Sequence, residues 1–151
     1  MMPDGRDLLA LLQHGDSFFP SGAVSFSWGV ETLAADGKVA KAKDVERFVA
    51  HQIAGRWASS DRPALLAALA AKGDLAKVAA ADHQMESNSL AAEQREGSRR
   101  MGAALLNVHV RLETASAKDY QSRVRAGEAP GHIAAVQGLL WRALGLDDAS
   151  A

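Results

Sequence analysis

Residues 89–112 read SLAAEQREGSRRMGAALLNVHVRL, and this stretch decides the fold class. Met101, Leu105, Val108 and Leu112 recur at helical spacing, and Leu106 with Val110 adds a second stripe on the adjoining side. A helix apolar over so wide an arc sits at the centre of a bundle, or divides its surface between core and partner. Its first half is charged, and Glu96 precedes Arg100 at the favourable four-residue spacing. Arg95, Arg99 and Arg100 then read as a solvated basic face, offset by Glu93 and Glu96.

Outward from this helix the same periodicity recurs. Asp7 to Gln13 predicts a short apolar helix, closed by Gly15, Pro20 and Gly22. Asp44 to Trp57 predicts a clearer one, with Val45, Phe48, Val49, Ile53 and Trp57 on a buried face. Asp61-Arg62-Pro63 opens the next helix, with Asp as cap and Pro harmless in the first turn, and Gly73 ends it. Asp74 starts another. Ser116 and Asp119 suggest a capping box, and Pro130-Gly131 leads into a last helix faced by Ile133, Val136, Leu140, Trp141 and Leu144, with Gly145 as its stop. One stretch resists: Val24, Phe26, Trp28 and Val30 alternate with Ser25, Ser27 and Gly29, which is strand periodicity. A lone strand has no partner in a helical chain, so the competing reading is a loop entering a helix near Ser27.

The sum is an all-α, single-domain bundle of about six to eight helices spanning residues 1–151. Composition agrees. Of 151 residues 48% are hydrophobic and only 5% aromatic, which supports a core and disfavours a β-sandwich. Seventeen basic against 18 acidic residues leave a net charge of −1, so no electrostatic case exists for nucleic acid or an anionic membrane as partner. There are no cysteines, hence no thiolate site, and no apolar run nears the roughly 20 residues that cross a bilayer. The start lacks the pattern of a secretory signal, and the expected compartment is the cytoplasm.

Little points to catalysis. None of His14, His51, His83, His109 and His132 lies four residues from another, so no helix presents a two-histidine metal face. His14 and Asp16 read as a polar loop pair, and His109 as a hydrogen-bonded core or interface histidine. Ser27 lacks the nucleophile-elbow glycine, since position 25 is Ser, and Gly97–Gly102 lacks the Lys-Ser/Thr ending of a phosphate loop. No catalytic residue, metal ligand or cofactor is assigned. An enzyme using His132 or Glu31 as a base is the weakest reading. A helical protein-interaction module is the stronger one, with Phe18, Phe19, Phe26 and Trp28 as core or interface anchors.

Three stretches, in order, carry a resemblance. The first runs from Leu11-Leu12-Gln13 through Asp16–Ala23, with Pro20 and Gly22, to Ser25, Ser27, Trp28, Gly29, Val30, Glu31 and Thr32. The second is Glu93-Gln94-Arg95-Glu96-Gly97-Ser98 leading to Gly102. The third is Gly131-His132-Ile133, then Gln137-Gly138 and Leu144-Gly145-Leu146. Together they resemble the UreF family of urease accessory proteins. Val24 departs from the family's usual aromatic and Val30 from its usual Leu. The family also continues past the Leu-Gly step, so the resemblance implies a chain that is C-terminally short and whose last helix face is left uncovered.

The resemblance implies an all-α fold with a dimeric tendency. It also implies a non-enzymatic scaffold or chaperone for nickel insertion into apo-urease, which binds UreD/UreH and recruits the GTPase UreG. Motif residues expected at partner contacts are Pro20, Gly22, Ser25, Ser27, Trp28, Gly29, Glu31, Arg95, His132 and Gly138. The alternative is a generic helical interaction module unrelated to urease.

Overall fold

The computed structural model describes residues 5–16, 18–20, 27–89 and 91–146. The fold is all-α, as the periodicity predicts, and no strand occurs among the described residues. Its elements are α1 (Gly5–Gly15), α2 (Val30–Ala35), α3 (Ala42–His51), a π-helical segment (Gln52–Asp61), α4 (Arg62–Ala70), α5 (Leu75–Asn88), α6 (Ala92–Arg111), α7 (Ala117–Arg125) and α8 (Ile133–Ala143). The alternation at 24–30 resolves in its described half into a turn at Ser27–Gly29 that enters α2. Val24, Ser25 and Phe26 lie outside the described residues, as does Gly22.

The centre of the bundle is α8. Ala135, Val136, Leu139 and Leu140 have no more than 1% of their surface exposed. They pack with Ala68 of α4, Val78 of α5, Leu105 and Leu106 of α6, and Tyr120 of α7. The expectation of an uncovered last face is therefore corrected for its central residues: α4, α5 and α6 already surround them. Two glycines make the packing possible. A Cβ on Gly138 would lie 2.3 Å from the carbonyl oxygen of Leu65, and one on Gly102 would lie 2.0 Å from that of Gly131. At these points the α8 and α6 backbones touch other backbone directly. The last helix stops as expected: Gly145 takes φ 94°, its N–H and that of Leu146 bond back to Arg142 and Trp141, and Leu146 is fully buried.

The face expected to be buried on the second helix is instead turned outward. Val45, Val49, Ile53 and Trp57 are 44–53% exposed. The reason is that α3, the π segment and α4 form one continuous rod. The wide turns between Gln52 and Asp61 reset the phase between α3 and α4, and α4 brings the core face. Asp61 lies inside this rod and caps nothing. The Ser116 box is also absent: Ser116 sits at φ 64° with no side-chain cap. Asp74 does cap its helix, accepting from the amides of Ala76 and Lys77. Asp44 closes a box at the start of α3 by accepting from Ala40 and Lys41.

Candidate partner-binding site

The turn ahead of α2 is built on left-handed backbone. Trp28 takes φ 54° and Gly29 φ 91°, and the Val30 amide donates to the Ser27 carbonyl at 3.1 Å. Glycine adopts this conformation freely, and tryptophan holds it against strain. The turn aims the Trp28 ring under Arg56 of the π segment, whose guanidinium carbon lies 3.4 Å from the ring centroid. This is a close cation–π stack. Beside it runs an open groove of about 600 Å³, with Ser27, Trp28, Gly29 and Glu31 on one wall and Phe48 and Gln94 among the residues facing them. Four of the sequence-predicted residues thus come together on one surface feature.

From Arg56 a chain of charges leads inward. Arg56 Nε meets Asp61 Oδ2 at 3.1 Å. Asp61 in turn feels the field of His132, which is fully buried at the start of α8. Burial pushes the Asp61 carboxyl above the usual carboxylate range, opposed by Arg56 and then His132. Burial also lowers Arg56 from the ordinary guanidinium value, opposed by Asp61. Desolvation dominates at both partners, so the pair gains little for stability and serves to fix position. His132 Nε2 donates to Glu86 Oε2 at 2.6 Å, and Glu86 Oε1 holds Arg95 at 3.3 Å and Arg99 at 3.1 Å. Arg95 also donates to the Ser89 carbonyl at 2.5 Å.

Arg95 and His132, far apart in sequence, are thereby joined through one glutamate. The reading of Arg95, Arg99 and Arg100 as a single solvated face is corrected. Arg100 pairs along its own helix, with Glu96, while Arg95 and Arg99 reach across to Glu86 of α5. Pro20 is exposed and outside the groove lining, and Gly138 is buried where α8 packs against α4. Gly22 and Ser25 lie outside the described residues.

The start of α8 is anchored by residues the sequence reading missed. Asp82, with no exposed surface, accepts from the amides of Gly131 (2.7 Å) and His132 (2.9 Å) and from the Tyr120 hydroxyl (2.7 Å). A carboxylate at the positive end of a helix is favourably placed. Burial and the Asp82 charge push the Tyr120 hydroxyl well above its ordinary value, keeping it a donor. Ser98 Oγ accepts from the Ile133 amide at 3.3 Å. Arg56, Glu86 and Asp82 carried no motif, and Ser98 stood in the second motif stretch without an assigned role. Only the packing of α5 and α6 against the start of α8 gives them their roles.

His109 matches its reading as a buried, hydrogen-bonded histidine: it is 1% exposed and its Nδ1 lies 2.8 Å from Thr114 Oγ1. Its ring stacks on His14, with centroids 5.1 Å apart, beside Phe19. His14 is thus drawn into an aromatic cluster rather than paired with Asp16. Among the described residues, no group of three or more His, Asp or Glu is arranged to hold a metal ion, and no helix is long and apolar enough to cross a membrane.

Comparison with known proteins gives a consistent result. The family model UreF matches residues 39–151. The urease accessory protein UreF of Actinobacillus pleuropneumoniae is 31% identical over 143 residues, covering 93% of this chain and 63% of the relative. That of Haemophilus influenzae (strain PittGG) is 31% identical over 146 residues, covering 95% of this chain and 62% of the relative. That of Trichodesmium erythraeum is 36% identical over 107 residues, covering 70% and 46%. This chain therefore spans less than two thirds of the length of these relatives. No solved structure matches.

Proposed function

This chain belongs to the UreF family, and from that premise we propose that it is a urease accessory protein, acting as a non-enzymatic scaffold in maturation of the urease nickel centre. In this reading it binds UreD/UreH, recruits the GTPase UreG and works on apo-urease in the cytoplasm. It self-associates as a homodimer and engages neither nucleic acid nor membrane. Nickel is cargo passed between other components. The relatives' shared name supports the accessory role, and the groove beside Trp28 supports the scaffold role.

The single observation that carries the reading is the gathering of Ser27, Trp28, Gly29 and Glu31 along one open groove. A groove with an aromatic wall, the carboxylates of Glu31 and Glu93 in its lining and a half-buried phenylalanine suits a protein segment with an apolar anchor. The cation–π stack and the Arg56–Asp61 pair hold that wall rigid before a partner arrives, which lowers the ordering cost of binding.

A pull-down of UreD/UreH and UreG by the purified chain tests it. Capture of UreD/UreH by the wild type, weakened at least tenfold by Glu31→Lys with helicity unchanged, is the expected result. Failure to capture either protein would leave the alternative, a helical interaction module outside urease maturation.

A further inference from the structure

A second cleft, of about 360 Å³, opens between the π segment, the end of α5 and the start of α6. Its walls include Arg56, Ser59, Ser60, Asn88, Gln94 and Ser98, and no carboxylate among the described residues lines it. Arg56 lines it, whereas its partner Asp61 does not. Asp61 meets that guanidinium at Nε, and the η-nitrogens hydrogen-bond to nothing among the described residues. Ser60 Oγ is buried without a partner. Ser98 is 1% exposed, and its oxygen accepts from the Ile133 amide, which leaves its hydroxyl proton to donate.

The cleft is therefore donor-rich, and its guanidinium, paired with Asp61 through Nε, still has its η edge to offer. A buried polar group left unpaired costs free energy, so the Ser60 hydroxyl, set beside the open guanidinium edge and the Ser98 hydroxyl proton, calls for an acceptor in the cleft. A cation is disfavoured by the guanidinium and by the absence of any acidic lining. An apolar ligand would leave the donors unpaired.

We propose that this cleft binds a small oxyanion, a phosphate or a carboxylate, with Arg56 as its charged partner and Ser60 and Ser98 as hydroxyl donors. The guanidinium edge matches such an anion geometrically. Burial already lowers the Arg56 pKa, so a second anionic neighbour would restore what desolvation removes. Because Arg56 also stacks on Trp28, occupancy would be felt at the wall of the neighbouring groove.

The test follows the indole N–H resonances of the ¹⁵N-labelled full chain, assigned with Trp28→Phe and Trp57→Phe. The chain is titrated separately with inorganic phosphate and with acetate, at ionic strength held constant with chloride. The expected result is a saturable shift of the Trp28 resonance in the millimolar range, weakened at least tenfold by Arg56→Gln and severalfold by Ser60→Ala. Arg56→Lys, which keeps the charge, retains part of the binding and guards against a folding defect. Response to phosphate alone assigns a tetrahedral anion, and response to acetate alone a carboxylate. A wild-type chain that shows no saturable shift with either anion, or the same affinity in Arg56→Gln, overturns the proposal.

Discussion

Buried side chains that must remain paired, or remain neutral, show most directly what single residues do in this fold. Asp82 satisfies two successive backbone amides ahead of α8 and a tyrosine hydroxyl from α7. Asp82→Ala orphans all three donors, and a loss of about 3–5 kcal/mol is expected in urea unfolding, the scale for breaking a buried charged contact. His109 gives a pH dependence. Burial, and then the neighbouring His14, depress its pKa to about 4 from an ordinary 6.5. The folded state thus resists taking up the proton that the unfolded state accepts. Its contribution to stability is fully present above pH 6.5 and is lost as pH falls toward 4, by up to roughly 3 kcal/mol at 1.36 kcal/mol per unit. Urea midpoints should fall between pH 7 and pH 4, and His109→Phe should flatten that slope. An unchanged slope in the variant would place the acid sensitivity elsewhere.

At the scale of elements, the sequence showed where helices lie better than which way they face. Periodicity located α6 and α8 because their stripes are long, and Gly131 and Gly145 mark the ends of α8. It misassigned the outer face of α3 because Val45, Val49, Ile53 and Trp57 repeat at helical spacing whatever they face. The widening that turns this stripe away is a backbone feature with no residue signature. Ile53→Lys should therefore change stability by no more than about 0.5 kcal/mol, whereas Leu139→Ala should cost about 2–5 kcal/mol. Equal effects of the two in thermal unfolding would restore the buried reading of α3. Capping divides in the same way. Asp74→Ala should lower helicity and the melting midpoint, while Ser116→Ala removes no cap and should leave helicity unchanged by circular dichroism.

For the molecule as a whole, α8 is the axis against which α4, α5 and α6 are arranged. Gly138 sets how near α4 can come, and Gly138→Ala should push the two helices apart at a cost of roughly 1–3 kcal/mol. The same melting curve as wild type would show that this approach is loose. The candidate site was half legible. Ser27, Trp28, Gly29 and Glu31 stood out through the family motif they resemble, with Trp28 also marked as an aromatic anchor. Arg56, Asp61 and Glu86 were not, because a charge on a helix acquires meaning only from what crosses it in space.

The π segment between α3 and α4 has one more consequence, for comparing chains of this kind. In an ordinary α-helix, adding or removing one residue rotates everything beyond it by about 100°, so length and facing are locked together. A ten-residue π stretch loosens that lock. Insertions and deletions there can be absorbed by converting a wide turn to a regular one or the reverse, with α4 still facing the core. Two relatives differing by a residue in this stretch need not differ in shape, and positions that line up by counting along the chain need not occupy the same place in the fold.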